Sequence, residues 1–233
     1  MNKVVLGSRK SKLAVWQTEY AKEKLKEIGI NDIETILFTT QGDKNLAQCL
    51  TEIGGKGVFT QELECSLLNG NIDIAVHSLK DLPVPLPNQF KILAVLERED
   101  SRDVLVSPMG YTLNSLPKGS TVGTSSLRRK AQLLAFRPDL QIVPIRGNVQ
   151  TRIAKCKNND FAGTILAYAG VKRMNMESCI SEIIDSNVMM SAPGQGAIAL
   201  EVTYNFKKSE MIKKANHLKT YIETFTERLF LEA

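Results

Sequence analysis

Hydrophobic positions along the chain recur with two spacings, one typical of amphipathic helices and one of buried strands. Leu13, Trp16 and Tyr20 follow helical spacing, which predicts a helix over that stretch. Ser11 can cap its N-terminus, and Gly29 lies near its predicted end. Short apolar runs predict strands between the helical segments, the clearest being residues 33–39, 93–96, 103–107 and 197–202. Because strands alternate with helices, we predict an α/β fold with largely parallel sheets.

Two further stretches have helical patterns. The segment TQELECSLLNG places Leu63 and Leu67 on one face, and this predicts a helix over Thr60–Gly70. Between Lys207 and Phe230, polar and apolar residues alternate at a spacing of about 3.6, which predicts one continuous helix. The segment NIDIAVHS between these two predicts a short, buried strand that breaks into a proline-rich loop.

The segment VGTSSLRRKAQLLAFRP combines a helix start with two adjacent arginines. Thr124, Ser125 and Ser126 are all candidate N-caps, so Arg128 and Arg129 fall in the first helical turn. A helix N-terminus carries about half a positive charge, so cations are unfavourable there. A bound anion would resolve the conflict, because it would meet backbone N–H groups, hydroxyls and guanidinium groups together. The alternative is that both arginines pair with surface carboxylates.

Charge along the chain is uneven. The net charge is +5 over 233 residues, yet residues 120–155 hold seven basic residues and one acid, Asp139. Such a local concentration of arginine favours a polyanionic ligand. Phe136 is the only aromatic residue in this stretch, so the stacking platforms of nucleic-acid-binding proteins are missing from it. We therefore disfavour a nucleic-acid partner.

Basic side chains follow several different predicted strands. In open α/β sheets, ligands bind in the loops at the carboxyl ends of strands. The basic residues in such loops are Arg9, Lys80, Arg128, Arg129, Arg146, Arg152 and Arg173. Asp81 is the lone acid among them. It either initiates a turn before Leu-Pro or places a carboxylate against a cationic centre of a substrate.

Several classes of protein are disfavoured by what the sequence lacks. It has no apolar stretch of signal-peptide or membrane-span length, no Walker motif and no GxGxxG between a strand and a helix. The two histidines are far apart, so we predict no metal site. The four cysteines form no CxxC pair and predict reduced thiols in a cytoplasmic protein: Cys49, Cys65, Cys156 and Cys179.

Eight segments together resemble one family over almost the whole chain. In family order, they are similar to the motifs of the hydroxymethylbilane synthase (porphobilinogen deaminase) family: GSRKSKLAVWQ, GGKGVFTQELE, DIAVHSLKDLP, EREDSRDVLVS, GTSSLRRKAQL, IRGNVQTR, ILAYAGVKRM and APGQGAIALE. The resemblance implies a transferase of porphyrin and haem biosynthesis. Such enzymes condense porphobilinogen units head to tail, with release of ammonia, into a linear tetrapyrrole.

The resemblance also implies a cofactor and the residues of the site. The family builds the chain on a dipyrromethane joined by a thioether to a cysteine, and every pyrrole ring carries carboxylates. Asp81 matches the catalytic aspartate, Lys56 lies in the loop over the active site, and Gln195 and Gly196 match hinge positions. The residues implied to bind carboxylates of cofactor and substrate are Arg9, Ser11, Gln17, Ser78, Lys80, Thr124, Ser125, Ser126, Arg128, Arg129, Arg146, Arg152 and Arg173.

The implied architecture is two domains like those of type II periplasmic binding proteins, with mainly parallel sheets and the active site between them. Domain 1 would comprise residues 1–96 and 197–216, domain 2 residues 97–196, and residues 217–233 would be the first helix of a truncated third α/β domain. The implied partners are porphobilinogen and the growing polypyrrole, with no nucleic acid and no membrane, in a cytoplasmic monomer.

The sequence departs from the family where the cofactor cysteine is expected. It stops before the family's Gly-Gly-Cys loop, and none of its four cysteines lies in that context. We therefore expect this chain, as written, to be an inactive fragment that is prone to association. The alternative is a cytosolic carboxylate-binding module without catalysis. The missing cysteine favours the module, whereas Asp81 and the glycine-rich loop around Lys56 favour the enzyme.

Overall fold

The computed structural model describes residues 3–40, 60–158 and 161–232. The chain divides into two compact units. The first unit comprises Met1–Glu99 and Gly196–Ala233, and the second unit comprises Asp100–Gln195. The predicted division into three family domains stays a prediction.

Strands and helices alternate through most of the described residues. In chain order the strands are β1 (Val4–Arg9), β2 (Ile33–Phe38), β3 (Ile74–Ser78), β4 (Phe90–Val95), β5 (Asp103–Val106), β6 (Thr121–Gly123), β7 (Gln141–Val143), β8 (Gly163–Ala167), β9 (Glu182–Ile183) and β10 (Ile198–Thr203). The helices are α1 (Lys12–Glu27), α2 (Gln61–Leu68), α3 (Leu127–Phe136), α4 (Val149–Asn158), α5 (Tyr168–Arg173), α6 (Ser209–Ile212) and α7 (Leu218–Glu232). Short 3-10 turns span Leu79–Asp81, Glu177–Cys179 and Lys213–Ala215.

The first unit contains a five-stranded mixed sheet of order β2-β1-β3-β10-β4. Strand β1 pairs in parallel with β2 and β3, whereas β10 pairs antiparallel with β3 and β4. Four strands therefore run one way and β10 runs against them. Helix α1 packs Ala21 and Leu25 onto the sheet, where both are fully buried. Its cap is confirmed, since Ser11 Oγ accepts a hydrogen bond from Ala14 N at 3.2 Å.

The second unit contains a five-stranded sheet with a similar plan, of order β7-β6-β8-β5-β9. Strand β6 pairs in parallel with β7 and β8, and β5 pairs antiparallel with β8 and β9. Again four strands run one way, and here β5 opposes them. The core of this unit packs Leu105, Leu133 and Ile165 together, each with no exposed surface. The predicted α/β class with mainly parallel strands is thus confirmed as two mixed sheets.

The prediction of one helix from Lys207 to Phe230 is wrong. The segment forms α6 and a 3-10 turn, breaks at Asn216 and His217, and resumes as α7. The break has a physical cause at the edge strand β4. Val95 N donates to Asn216 Oδ1 at 2.8 Å, and His217 N donates to the Val95 carbonyl at 2.8 Å. The second bond takes a backbone N–H that a continuous helix would need, and the first fixes the Asn216 side chain against the sheet.

Helix α7 is tied to the first unit by two arginines. Arg98 donates to both carboxylate oxygens of Glu227, at 2.7 and 3.0 Å. Arg228 donates to the carbonyl oxygens of Leu82 and Pro83, which directly follow the turn carrying Asp81. Large apolar side chains nevertheless stay exposed on α7: Leu218, Ile222, Phe225, Leu229, Phe230 and Leu231. Among the described helices, none has the length and apolar character needed to cross a membrane.

Candidate functional site

The carboxyl edge of the first sheet collects the predicted residues of the first unit. Strands β1 and β3 are parallel neighbours, with Gly7 opposite Ala75, so the residues that follow them lie at the same edge. Arg9 ends β1 and Ser11 follows it, while Ser78 ends β3 and Lys80 and Asp81 follow it. We call these five residues the first edge. Lys80 and Asp81 are exposed, while Arg9, Ser11 and Ser78 are half-buried.

Two hydroxyl groups at the first edge are oriented by hydrogen bonds that they accept. Buried Gln17 donates from Nε2 to Ser78 Oγ at 2.7 Å, and Ala14 N donates to Ser11 Oγ. A hydroxyl that accepts one hydrogen bond still has its own proton to donate. The structure therefore makes Gln17 an orienting residue, and it leaves both serine hydroxyls able to donate to an anion.

A buried acid–base pair lies in the first unit behind this edge. His77 on β3 and Glu201 on β10 are both buried, with His77 Nε2 at 3.1 Å from Glu201 Oε2. Burial raises the pKa of the neighbouring Glu64 on α2 above its usual range, and the Glu201 carboxylate adds to the shift. Sequence reasoning missed this pair, although a glutamate inside the apolar run AIALEV was a visible signal.

The carboxyl edge of the second sheet collects the predicted residues that surround α3. Strands β6 and β8 are parallel neighbours, and Asp103, the first residue of β5, lies opposite Ala167 at the end of β8. The residues that we call the second edge are Thr124, Ser125, Ser126, Arg128, Arg129 and Asp103. Thr124 and Arg129 are buried, and the other basic and hydroxyl residues of this edge are half-buried.

The three candidate caps of α3 take different roles. Ser126 is the N-cap, since its Oγ accepts from Arg129 N at 3.4 Å. Thr124 Oγ1 accepts from Ser126 N at 3.2 Å, and Ser125 Oγ donates to the Ile145 carbonyl at 2.9 Å. The helix start is therefore fixed by its own loop, and the first turn carries Arg128 and Arg129 as predicted.

A buried carboxylate, which sequence reasoning missed, compensates both arginines. Asp103 has no exposed surface. Its Oδ1 accepts from Arg129 Nε and Nη2 at 3.2 and 2.7 Å, and its Oδ2 accepts from Arg128 Nη2 at 2.6 Å. Gln195 Nε2 also donates to Oδ1, at 2.9 Å. This arrangement matches neither alternative from the sequence. The arginines do not form an empty anion site, and the carboxylate that they bind is buried and not on the surface.

The ionisation of Asp103 depends on these partners. Burial acts to raise its pKa, but the Arg129 and Arg128 guanidinium groups outweigh burial and hold the pKa below the usual range. Because the pKa of Asp103 is lower in the folded state than the unfolded-state value of about 4, its ionised carboxylate stabilises the fold at any pH above about 4. This stabilisation is lost as the pH falls through the lower, folded-state pKa. The ion pairs are therefore intact at neutral pH.

The remaining predicted residues of the second unit lie on α4, α5 and their loops. Arg152 on α4 donates from Nε to the Gly147 carbonyl at 2.7 Å, and the Arg146 carbonyl accepts from Lys155 Nζ at 3.2 Å. Arg173 ends α5 and is buried. Lys56 lies outside the described residues.

Gly196 occupies a position that admits no side chain. Its φ is +89°, and a Cβ there would lie 2.3 Å from the Glu99 carbonyl oxygen. Gly119 has a similar φ of +76° but open space around it. A left-handed conformation alone costs a non-glycine residue about 1–2 kcal/mol, so that is the expected loss for Gly119→Ala.

We expect Gly196→Ala to lower the free energy of unfolding by about 3 kcal/mol or more, because the backbone clash adds to the strain. Urea denaturation of both variants measures the difference. Equal losses for Gly196→Ala and Gly119→Ala would show that the contact with Glu99 costs nothing.

Solved structures show which known fold this chain resembles. The methionine-binding protein MetQ superposes with a TM-score of 0.57 and 13% identity, covering 97% of this chain and 93% of MetQ. The probable amino-acid transporter binding protein YtmK of Bacillus subtilis gives a TM-score of 0.54 and 14% identity over 98% of this chain and 95% of YtmK. The chain is thus an α/β protein with the fold of type II periplasmic binding proteins. Most of its predicted site residues carry a cationic or a hydroxyl group.

Sequence comparisons then identify the family. The family model "Porphobilinogen deaminase, dipyromethane cofactor binding domain" matches residues 4–211. The porphobilinogen deaminase of Shouchella clausii is 46% identical over 235 residues, which cover 100% of this chain and 76% of that relative. The Desulfitobacterium hafniense protein of the same name is 49% identical over 233 residues, 99% of this chain and 76% of the relative. The chain belongs to the porphobilinogen deaminase family.

The family membership carries an activity and a cofactor. The protein is a transferase of porphyrin and haem biosynthesis, a hydroxymethylbilane synthase that uses porphobilinogen and a dipyrromethane cofactor. The donor set at both edges fits the carboxylates of such a cofactor, because it consists of cationic and hydroxyl groups. Among the described residues, no three His, Cys, Asp or Glu side chains are placed to hold a metal ion.

The described cysteines differ in exposure and chemistry. Cys65 on α2 is exposed and Cys179 is half-buried. Cys156 on α4 is buried, and burial raises the pKa of its thiol to about 11, which disfavours a thiolate. Cys49 lies outside the described residues. The prediction that none of the four is the cofactor anchor stays a prediction.

Proposed function

We propose that Asp81 is the catalytic carboxylate of this hydroxymethylbilane synthase, and that basic and hydroxyl residues of both units hold the pyrrole carboxylates. One observation carries the assignment of Asp81. It is exposed at the first edge, and no described residue forms a hydrogen bond or ion pair with its carboxylate. Asp81 shares the first edge with the cationic residues Arg9 and Lys80. Its carboxylate is therefore available to a substrate that these cations attract.

The chemistry requires a carboxylate at one particular point. When the C–N bond of the protonated aminomethyl group of porphobilinogen breaks, neutral ammonia leaves with the bonding electrons and the ring nitrogen pushes its lone pair toward the exocyclic carbon. The resulting cation has its charge partly on the ring N–H. Asp81 would accept a hydrogen bond from that N–H and stabilise the cation. It would then take the proton released when the attacking pyrrole carbon becomes aromatic again.

The first edge would hold substrate carboxylates through three kinds of donor. Lys80 and Arg9 supply charge, and Ser78 and Ser11 supply hydroxyl protons that Gln17 and the α1 backbone leave available. The dipyrromethane cofactor, when bound, supplies the pyrrole carbon to which the first porphobilinogen unit is joined. Its carboxylates are candidates for the same residues, because their chemistry is the same.

The second unit would hold further carboxylates of the growing polypyrrole. The residues that we propose for this role are Thr124, Ser125, Ser126, Arg128, Arg129, Arg146, Arg152 and Arg173. Each added pyrrole brings two more carboxylates. We therefore expect the site to have more hydrogen-bond donors than a single porphobilinogen molecule needs. Gln195 and Gly196 keep their proposed place as hinge positions, and Lys56 its place in the loop over the active site.

We place the enzyme in the cytoplasm as a monomer. The support is chemical: the three described cysteines are free thiols, as is usual in a reducing compartment. Porphobilinogen and the polypyrrole are the partners that the cationic edges favour, rather than nucleic acid.

Replacing Lys80 tests the carboxylate-binding role. None of the four cysteines is expected to anchor the cofactor, so the holoenzyme used in this and the following tests carries the family's Gly-Gly-Cys region as well. In that holoenzyme, Lys80→Met should raise KM for porphobilinogen roughly tenfold, because a charge-assisted hydrogen bond to a carboxylate is lost. The change in kcat should be smaller. Steady-state kinetics of ammonia release measures both values.

Lys91→Met is the matched control. Lys91 lies near the start of β4, at the opposite edge of the same sheet, and its ammonium group sits over the Tyr204 ring. Its replacement should leave KM unchanged. Equal effects of the two substitutions would show that only overall charge matters and would overturn the assignment of Lys80.

A further inference from the structure

We propose that Asp103 is a positioning residue, which holds the guanidinium groups of Arg128 and Arg129 so that Arg128 presents its exposed N–H groups to a pyrrole carboxylate. This inference rests on the proposed function, in which Arg128 binds such a carboxylate. Asp103 is the first residue of β5, and its place opposite Ala167 brings it to the carboxyl end of β8. It is therefore fixed by the sheet rather than by a loop.

The hydrogen-bonding capacity of Asp103 is fully used inside the protein. A carboxylate offers about four acceptor positions, and Asp103 accepts from four N–H groups, two of Arg129 and one each of Arg128 and Gln195. With no exposed surface, it has no capacity left for a ligand. Its role in any reaction must therefore act through the groups that it holds.

The balance of charge at Asp103 is unlike that of an ordinary ion pair. Arg137 and Asp139 in the same unit form a one-to-one pair, with Arg137 Nε and Nη2 at 2.7 and 2.8 Å from the two carboxylate oxygens. Asp103 instead faces two guanidinium groups, so, within the part of the chain that the structure describes, one positive charge at the start of α3 is left uncompensated. An uncompensated cation in a helix first turn is unfavourable until an anion arrives.

The two arginines have different amounts of free surface. Arg129 donates through Nε and Nη2 to Asp103 and through Nη1 to the Ile165 carbonyl at 3.0 Å, and its side chain is only 7% exposed. Arg128 donates through Nη2 to Asp103 and through Nη1 to the Met190 carbonyl, and 24% of its side chain is exposed. Arg129 thus mainly anchors the Asp103 carboxylate, and Arg128 has the larger surface available to a ligand.

The orientation of Arg128 is set from both sides. Asp103 fixes one end of the guanidinium, and the Met190 carbonyl fixes the other. Met190 is itself held by Gln132, whose Nε2 donates to the Met190 carbonyl at 3.2 Å while its Oε1 accepts from Met190 N at 2.8 Å. A guanidinium has five N–H donors, and two of those of Arg128 are used here. A rigid guanidinium with N–H groups to spare loses less entropy on binding a carboxylate than a mobile one does.

The test compares Asp103→Asn with Arg128→Leu in the purified holoenzyme. Asp103→Asn should raise KM for porphobilinogen roughly tenfold, with kcat changed less than threefold, if Arg128 holds a substrate carboxylate. If Arg128 instead holds a cofactor carboxylate, intact mass should show a severalfold smaller fraction of chains bearing the dipyrromethane. Either result supports the inference. The double variant Asp103→Asn/Arg128→Leu should have a KM and a cofactor-bearing fraction within a factor of two of those of Arg128→Leu alone.

Asp139→Asn is the matched control, since it removes a one-to-one Asp–Arg pair at the opposite edge of the same sheet. It should leave KM and the cofactor-bearing fraction unchanged. If Arg128→Leu changes either quantity and Asp103→Asn changes neither, the inference is overturned. If Arg128→Leu itself changes neither, the proposed role of Arg128 fails and the inference falls with it.

A second variant covers the case in which Asp103→Asn does not fold. Gln195→Met removes a hydrogen bond to Asp103 and one to the Ser101 carbonyl, and it leaves every charge in place. It should raise KM, or lower the cofactor-bearing fraction, roughly two- to fivefold, with a circular dichroism spectrum like that of the parent. Values equal to those of the parent would overturn the inference.

Discussion

Asp81→Asn in the holoenzyme is expected to lower kcat for porphobilinogen consumption by roughly 10²–10⁴-fold, the range for loss of a general base or a charge-stabilising group. The amide keeps the size of the side chain but cannot accept a proton or compensate a cation. Because Asp81 is exposed and no described residue bonds its carboxylate, the fold should be unaffected. Ammonia release and thermal unfolding, measured on the same preparation, separate the two effects.

Asp32→Asn is the control for this substitution. Asp32 is also exposed and lies just before β2, at the opposite edge of the same sheet. The Asp32→Asn holoenzyme should retain full turnover of porphobilinogen. Near-normal turnover in Asp81→Asn or Asp81→Ala, or an equal loss in Asp32→Asn, would remove Asp81 from the mechanism.

A loss of stability is expected from His77→Ala. The substitution leaves the Glu201 carboxyl, which has no exposed surface, without the imidazole that lies 3.1 Å away. Leaving a buried polar group without its neighbour typically costs about 1–3 kcal/mol. Urea denaturation should therefore show a loss of about 2 kcal/mol in the free energy of unfolding.

His217→Ala is the matched control. His217 is half-buried before α7, where its Nδ1 lies 2.8 Å from Thr220 Oγ1, and loss of such a capping residue costs about 1 kcal/mol. The double variant His77→Ala/Glu201→Leu should recover part of the loss, since neither member of the pair is then left buried without the other. If His77→Ala costs no more than His217→Ala, the pair contributes no special stability.

The fold class and most elements could be predicted from the sequence because local patterns determine them. Apolar runs and caps located β5, α3 and α1, and Ser11 caps α1 as expected. The break at Asn216 and His217 could not be predicted in the same way. It depends on hydrogen bonds to Val95, a residue more than 100 positions away, and helical periodicity contains no information about such a partner.

The basic residues of the site could be found from their repetition after successive strands, but their internal partners could not. The adjacent arginines of α3 indicated a nearby anion, and the structure supplies one from the protein itself, Asp103. Strand β5 runs antiparallel to β8, so its first residue reaches the edge where β6 and β8 end. That pairing is a property of the sheet and cannot be derived from the DVLVS segment alone. Glu201 was visible as a glutamate inside an apolar run, but its proximity to His77 follows only from the pairing of β10 with β3.

Equilibrium binding of porphobilinogen to variants of the first edge tests the central claim most directly, because it separates holding the carboxylates from performing the chemistry. Isothermal titration calorimetry on the Asp81→Asn and Asp81→Asn/Lys80→Met holoenzymes gives two dissociation constants, because neither variant should consume the substrate. We predict that Asp81→Asn binds porphobilinogen while releasing almost no ammonia, and that adding Lys80→Met weakens this binding roughly tenfold. No binding by Asp81→Asn, or unchanged binding when Lys80→Met is added, would contradict the account.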